Sequence, residues 1–175
     1  MLIKFFNISL RNIFLFMLVG FFYSCGSNSD SETRINWDQY GVPHITASSK
    51  EDLLFAQGWA LMNNHANKVL ELYGRSRGRG SEYWGEKFLQ NDILIHTLGF
   101  DRLADKWETQ QDPELKLIYS NFVKGMNAYA LSHPDQIDDS NKMVLPVTSK
   151  DVNMHGMFVV FTRFIGGDDL RMVQR

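Results

Sequence analysis

Five histidines, two glycine–serine pairs, a cluster of three arginines and one cysteine are the residues of this sequence whose chemistry could go beyond packing. His44, His65, His96, His133 and His155 include no pair spaced i,i+4, the arrangement that lets one helix face hold a metal ion. Gly26-Ser27 and Gly80-Ser81 are the only glycine–serine pairs, and a serine nucleophile also needs a positioned base. One pair lies in a polar stretch and the other in a glycine-rich basic loop, so neither is read as catalytic. Arg75, Arg77 and Arg79 have the fork geometry that clamps a carboxylate or phosphate. They are expected to meet acidic groups of another chain or to face water, with Glu82 as the local partner. His44 reads as a ring hydrogen-bonded within a hairpin, and His65 as a polar contact off the apolar stripe of its helix.

Cys25 cannot form a disulfide within the chain, so its position has to explain it. Lys4 and Arg11 precede an apolar run from Ile13 to Tyr23, and no acidic residue occurs before Asp30. That run suits the core of a signal peptide and falls short of the ~20 residues needed to span a bilayer. Phe22-Tyr23-Ser24-Cys25-Gly26 resembles a lipobox, although Tyr23 and Phe22 are not the residues commonest there. The division that follows is a lipoprotein-type signal peptide over 1–25, a flexible tether over 26–33, and a folded segment over 34–175. Cys25 is then the lipidation site, and the several acyl chains of a bacterial lipoprotein would hold it at the outer membrane, facing the periplasm or the cell surface. A plain secretory signal cleaved nearby is the alternative.

The 175 residues suffice for one domain, and 44% hydrophobic with 22% charged residues is a globular composition. A net charge of −2 leaves no basic footprint for nucleic acid.

The elements that must carry these residues are mostly helices. Thr33 to Thr46 alternates polar and apolar residues about Gly41, which predicts a β-hairpin, and Pro43 must start its strand or lie at an edge. Ser48 and Glu51 have capping-box spacing, and Phe55, Trp59, Met62, Ala66, Val69 and Tyr73 then form one stripe ending at Gly74. Gly58 inside that helix costs about 1 kcal/mol relative to Ala, which predicts close packing against a neighbour. Gly74 to Gly85 reads as a loop, and Asn91 to Lys106 as a helix. Another helix starts with Asp112 as N-cap and Pro113 at its first position, and ends before His133-Pro134. Asp135 to Lys142 reads as a polar connector. Thr148 and Asp151 then open a last helix running towards Phe164. The fold class is α+β, a mostly helical segment with an N-terminal hairpin.

Several blocks in this order resemble the penicillin acylase family. They are Ile35 to Ile45, Phe55 to Ala60 continuing through His65 to Gly85, Phe122 to Tyr129 with its Gly-x-Asn-Ala, and Asp151 to Phe164. Trp37, His65 and the Glu82 to Glu86 stretch lean towards the acyl-homoserine-lactone acylase branch. The resemblance implies an αββα N-terminal-nucleophile hydrolase fold, completed by a second chain of the same precursor. It also implies a small-molecule acyl amide as substrate: a penicillin or cephalosporin side chain, or an acyl-homoserine lactone. A serine exposed by autoprocessing at the start of that second chain would attack. Its own α-amine would act as base, and the second chain would form the oxyanion hole.

On this reading no catalytic residue lies in the present segment. Val160, Arg163 and Phe164 match the helix turn that lines or gates the family's acyl pocket, with plain core packing as the alternative role. The resemblance further implies a structural calcium in the full-length protein. The matching glutamate position is Leu170, which cannot ligate, with Asp168 and Asp169 close by. The expected partners are the second chain, the substrate and, through the lipid anchor, a membrane, with no nucleic acid. A non-catalytic exported lipoprotein on the same scaffold is the rival reading.

Overall fold

The structure, a computed structural model, describes residues 32–166. The signal-like stretch, Cys25 and most of the tether lie outside the described residues, as do Asp168, Asp169 and Leu170.

Strands β1 (Arg34–Trp37) and β2 (Pro43–Thr46) form an antiparallel hairpin that pairs Ile35 with Ile45 and Trp37 with Pro43. Pro43 thus begins its strand, as its missing N–H requires. The turn is closed by Asp38, whose Oδ1 accepts the N–H groups of Tyr40 (2.8 Å) and Val42 (3.0 Å). Its Oδ2 faces Nε2 of His44 at 3.3 Å. The Val42 N–H is the main reason the Asp38 carboxyl sits below its usual range.

Helix α1 spans Lys50–Ser76. Its N-cap is Ser49 rather than Ser48: the Ser49 hydroxyl accepts the Asp52 N–H at 3.0 Å. The hydroxyls of Ser48 and Ser49 both converge on Asp52 Oδ2. Nor does Gly74 stop the helix. A Cβ there would come within 2.4 Å of the Trp84 ring, so this glycine is a contact point. The helix is interrupted at His65 (φ −144°, ψ 26°). Beside the interruption, Asn64 takes the Trp37 indole N–H and donates to Gly41 O, both at 3.0 Å, hooking the hairpin to α1.

The expected loop after Gly74 contains a short helix, α2 (Gly80–Trp84), and the expected helix over 91–106 is two: α3 (Leu89–Leu98) and α4 (Phe100–Gln110). Gly99, at φ +68°, ends α3 in the left-handed conformation that favours glycine. Helix α5 (Pro113–Ser132) starts as read, with Asp112 accepting the Glu114 N–H at 2.7 Å. The connector holds a 3₁₀ turn (Pro134–Gln136) and helix α6 (Asp139–Lys142). Helix α7 (Ser149–Val160) runs on into a π-helical turn, Phe161–Ile165.

Among the described residues, two apolar clusters form the core. The larger lies about the α1–α5 pair and buries Met62, Leu70, Met126 and Val144 completely; the smaller joins Ile95, Phe100 and Ala104 to Met154, Met157 and Phe158 of α7. Helices α1 and α5 meet through two glycines. A Cβ on Gly58 would stand 1.9 Å from Phe122 O, and one on Gly125 1.9 Å from Phe55 O. Neither obstacle is a movable side chain, so the backbones themselves are in contact.

The root of α7 is tied to the end of α1 by an ion pair. Arg77 donates from Nε to Asp151 Oδ1 (2.6 Å) and from Nη2 to Oδ2 (2.8 Å), with side chains only 16% and 4% exposed. The expectation that Arg77 meets another chain or water is therefore corrected: its partner is internal.

Gly58→Ala or Gly125→Ala should destabilise the chain despite a helix-propensity gain of ~1 kcal/mol, because overpacking costs about 1–3 kcal/mol or more. Urea midpoints read this, and either variant melting above the parent would disprove the close crossing. Arg77→Met should cost about 3–5 kcal/mol by stranding the buried Asp151 carboxylate, and adding Asp151→Asn should cost less than the two separate losses together.

Candidate functional site

The sequence directs attention to α7 and the turn beyond it. Thr148 and Asp151 form a full capping box: the Thr148 hydroxyl accepts the Asp151 N–H, and Asp151 Oδ2 accepts the Thr148 N–H (2.7 Å) and hydroxyl (2.8 Å). Arg77 holds both carboxylate oxygens and also donates to Pro146 O at 3.1 Å. Burial opposes the Arg77 charge, but Asp151 outweighs it and keeps the guanidinium charged above its ordinary range. Nearby Tyr73 is pushed up to about 12 by burial and by the Asp151 charge. The chain leading into α7 is gripped by Asn127, whose amide donates to Val147 O (2.8 Å) and accepts the Val147 N–H (2.9 Å). Further along, Lys150 reaches Asp101 (2.7 Å) and Asp105 (2.6 Å) of α4, and Gln111 donates to Asn153 Oδ1 (2.7 Å).

Past these fixings the helix widens. Gly166 N–H donates to Phe161 O at 2.7 Å, a π-type bond, and the Thr162 hydroxyl donates to Phe158 O at 2.7 Å. Phe158 is buried, and Phe161 packs edge-on against Phe100 with centroids 6.0 Å apart. The other side of the turn faces out: Val160 is 49% exposed, Phe164 80%, and Arg163 is exposed. Neither Val160 nor Phe164 therefore packs in the core of the described residues. The Phe164 ring thus stands open beside an exposed arginine.

Among the described residues, no serine near this turn is arranged as a nucleophile. Ser81 donates its hydroxyl to Asp92 Oδ2 (2.6 Å), and Ser76 is fully buried with its hydroxyl on Leu72 O (2.8 Å). Ser27 lies outside the described residues. Arg79 forms a bidentate pair with Glu82, as expected (2.7 and 2.5 Å). Arg75 is flanked by the rings of Phe88 and Phe158. The histidines are dispersed: His65 is exposed on α1, His96 Nε2 meets Gly78 O at 2.8 Å, and His133 stacks on Tyr129 at 4.5 Å. An open groove of ≈ 500 Å³ between α2 and α3 includes Ser81, Asp92 and His96, but their polar atoms are already engaged, and none of Val160, Arg163 or Phe164 lines it.

Sequence reasoning missed Asp92. Although burial raises its pKa, donors from Ser81 and Gly80 outweigh that and hold the carboxyl below its usual range, where it caps α2. No local signal marks it, because its partners lie 11 and 12 residues away. Asn127 was visible only as a motif letter, without its Val147 contact. The calcium question falls on residues 168–170, outside the described residues.

The family model described as Penicillin amidase matches residues 32–157. The chain is 28% identical over 97 residues to acyl-homoserine lactone acylase QuiP of Pseudomonas fluorescens, covering 55% of this chain and 12% of that protein. It is 27% identical over 99 residues to penicillin acylase 2 proenzyme of a Pseudomonas species (strain SE83), covering 57% of this chain and 13% of that one. The chain therefore spans only a small part of the relatives' length. Thermostable penicillin G acylase from Alcaligenes faecalis has a similar fold, with a TM-score of 0.65 over 75% of this chain and 73% of that chain at 19% identity. The matched residues take in the hairpin and most of the helical segment that follows it, and the chain belongs to the penicillin amidase family.

Proposed function

We propose that this chain is the first-chain portion of an exported amide hydrolase and forms part of its acyl pocket with Val160, Arg163 and Phe164. The observation that carries the reading is the exposed Val160–Phe164 face on a firmly rooted helix, in a chain of the penicillin amidase family. Phe164 and Val160 would contact the acyl group, and Arg163 would lie beside its polar end. The substrate class is a linear acyl amide, an acyl-homoserine lactone or a β-lactam side chain, in keeping with what the named relatives act on.

The reaction needs a nucleophile that these residues do not supply. A second chain of the same precursor would bring it, as an N-terminal serine whose own amine takes the proton. Attack forms the acyl-enzyme and expels the amine; water then releases the acid. Cys25, in its lipobox-like setting, would anchor the assembly to the outer membrane, facing the periplasm or the cell surface.

Expression from a coding sequence that continues past Arg175 should give a processed second chain beginning with serine, together with hydrolysis of acyl amides. In that protein Phe164→Ala should lower kcat/KM for apolar acyl chains by about 10- to 100-fold, as expected for losing ~1.5–3 kcal/mol of aromatic burial. Its melting temperature should barely move, since the ring is exposed in this chain. Unchanged kcat/KM would remove Phe164 from the pocket. Cys25→Ser should shift the protein from the membrane to the soluble fraction, and retention on the membrane would rule out the lipid anchor.

A further inference from the structure

The hairpin has two outer edges, and they are not equivalent. Asp38 N–H donates to Val42 O at 3.1 Å, so the backbone groups of this pair point at each other. Along an antiparallel ladder such hydrogen-bonded pairs alternate with pairs whose N–H and C=O groups point outward. By the observed register, Asn36 with His44 and Arg34 with Thr46 continue the bonded set. Trp37 with Pro43 and Ile35 with Ile45 form the outward set. The N–H and C=O groups of Ile35 and Trp37 therefore point off β1, away from β2. On the far side β2 shows Ile45 and Pro43, and Pro43 has no N–H to offer.

Natural sheet edges are closed to further pairing by prolines, bulges or charges. Strand β2 has its proline. Strand β1 has no such guard: its register with β2 is unbroken, and its one charge, Arg34, stands beside Glu32 at 3.5 Å. Among the described residues, no backbone group outside the hairpin bonds to Ile35 or Trp37. Arg34, Asn36 and Trp37 are exposed, and Trp37 keeps 37% of its surface open although Asn64 holds its indole N–H. An extended segment laid along β1, at the usual spacing of about 4.8 Å, would pair both residues and cover that ring.

We propose that the outer edge of β1 receives a strand from polypeptide that follows Arg175 in the full-length protein. The chain covers only 12% and 13% of the two acylases whose sequences it matches, so most of such a protein lies outside it. The added strand carries apolar residues on the side it shares with Ile35 and Trp37, and polar residues beside Arg34 and Asn36. This inference rests on the reading that later polypeptide completes the chain, and not on the acyl pocket.

Hydrogen exchange resolved to single residues, in protein made from the full coding sequence and corrected for intrinsic rates, tests it. The amides of Ile35 and Trp37 should exchange at least about tenfold more slowly than that of Ile45, as expected for one hydrogen bond. Ile35 and Ile45 face each other and are both half-buried, which makes Ile35→Pro and Ile45→Pro a matched pair. Each removes the same side chain and an outward N–H, but Ile35→Pro should lower the urea midpoint further. A photo-cross-linker, introduced as Asn36→p-benzoylphenylalanine, should capture a peptide from beyond Arg175. Ile35 and Trp37 amides as fast as that of Ile45 would overturn the proposal. So would capture of residues 1–31, of a second copy of the chain, or of nothing. A processed, active enzyme with fast Ile35 and Trp37 amides refutes the strand and leaves the acylase reading standing. A protected edge in a protein that hydrolyses no acyl amide does the reverse.

Discussion

The closeness of α1 and α5 is the constraint on which the rest depends. Gly58 and Gly125 each face a carbonyl of the opposite helix, and the contact is reciprocal between the two helices. Two backbones in touch fix both the separation and the angle of the pair, because no side chain stands between them to adjust. Met62, Leu70 and Met126 then fill the space that crossing defines. Asn64, Asn127 and Arg77 project from this pair to the hairpin, the chain before α7 and the root of α7. Move the crossing, and all three reach the wrong place.

A second theme is the carboxylate that serves a local turn and a longer connection at once. Asp38 closes the hairpin turn and meets His44 across it. Asp92 gathers the N–H groups that open α2 from a position on α3, so two adjoining helices share one group. Asp151 caps its own helix and accepts Arg77 from α1. Donors surround the two buried anions, Asp92 and Asp151, so their desolvation is offset where they stand.

Much of the fold was legible because its signals are short-range. The Thr148–Asp151 box, the Asp112-Pro113 start and the hairpin alternation each lie within a few residues, and the structure follows them. Errors arose where the deciding partner is remote. Gly74 has the composition of a helix stop, yet it is glycine because Trp84 packs there. Arg77 and Asp151 are 74 residues apart, beyond any periodicity. For the site, pattern alone would add Phe164 to the apolar stripe of α7; only the family resemblance singled it out, and only the coordinates show its ring facing outward.

The distribution of fastenings along α7 has a mechanical consequence. Every polar bond from α7 to another helix falls between Lys150 and His155 among the described residues; beyond that the helix rests on Met157, Phe158 and Phe161. Hydrogen bonds and ion pairs resist rotation, whereas apolar contacts are non-directional and allow a helix to slide. Helix α7 is therefore a lever with its pivot at one end. At a rise of 1.5 Å per residue the stretch from His155 to Val160 makes a free arm of roughly 7.5 Å, so a tilt of about 5° of the fastened part would carry the helix end by about 0.7 Å. Small adjustments where α7 is fastened arrive magnified at Arg163 and Phe164.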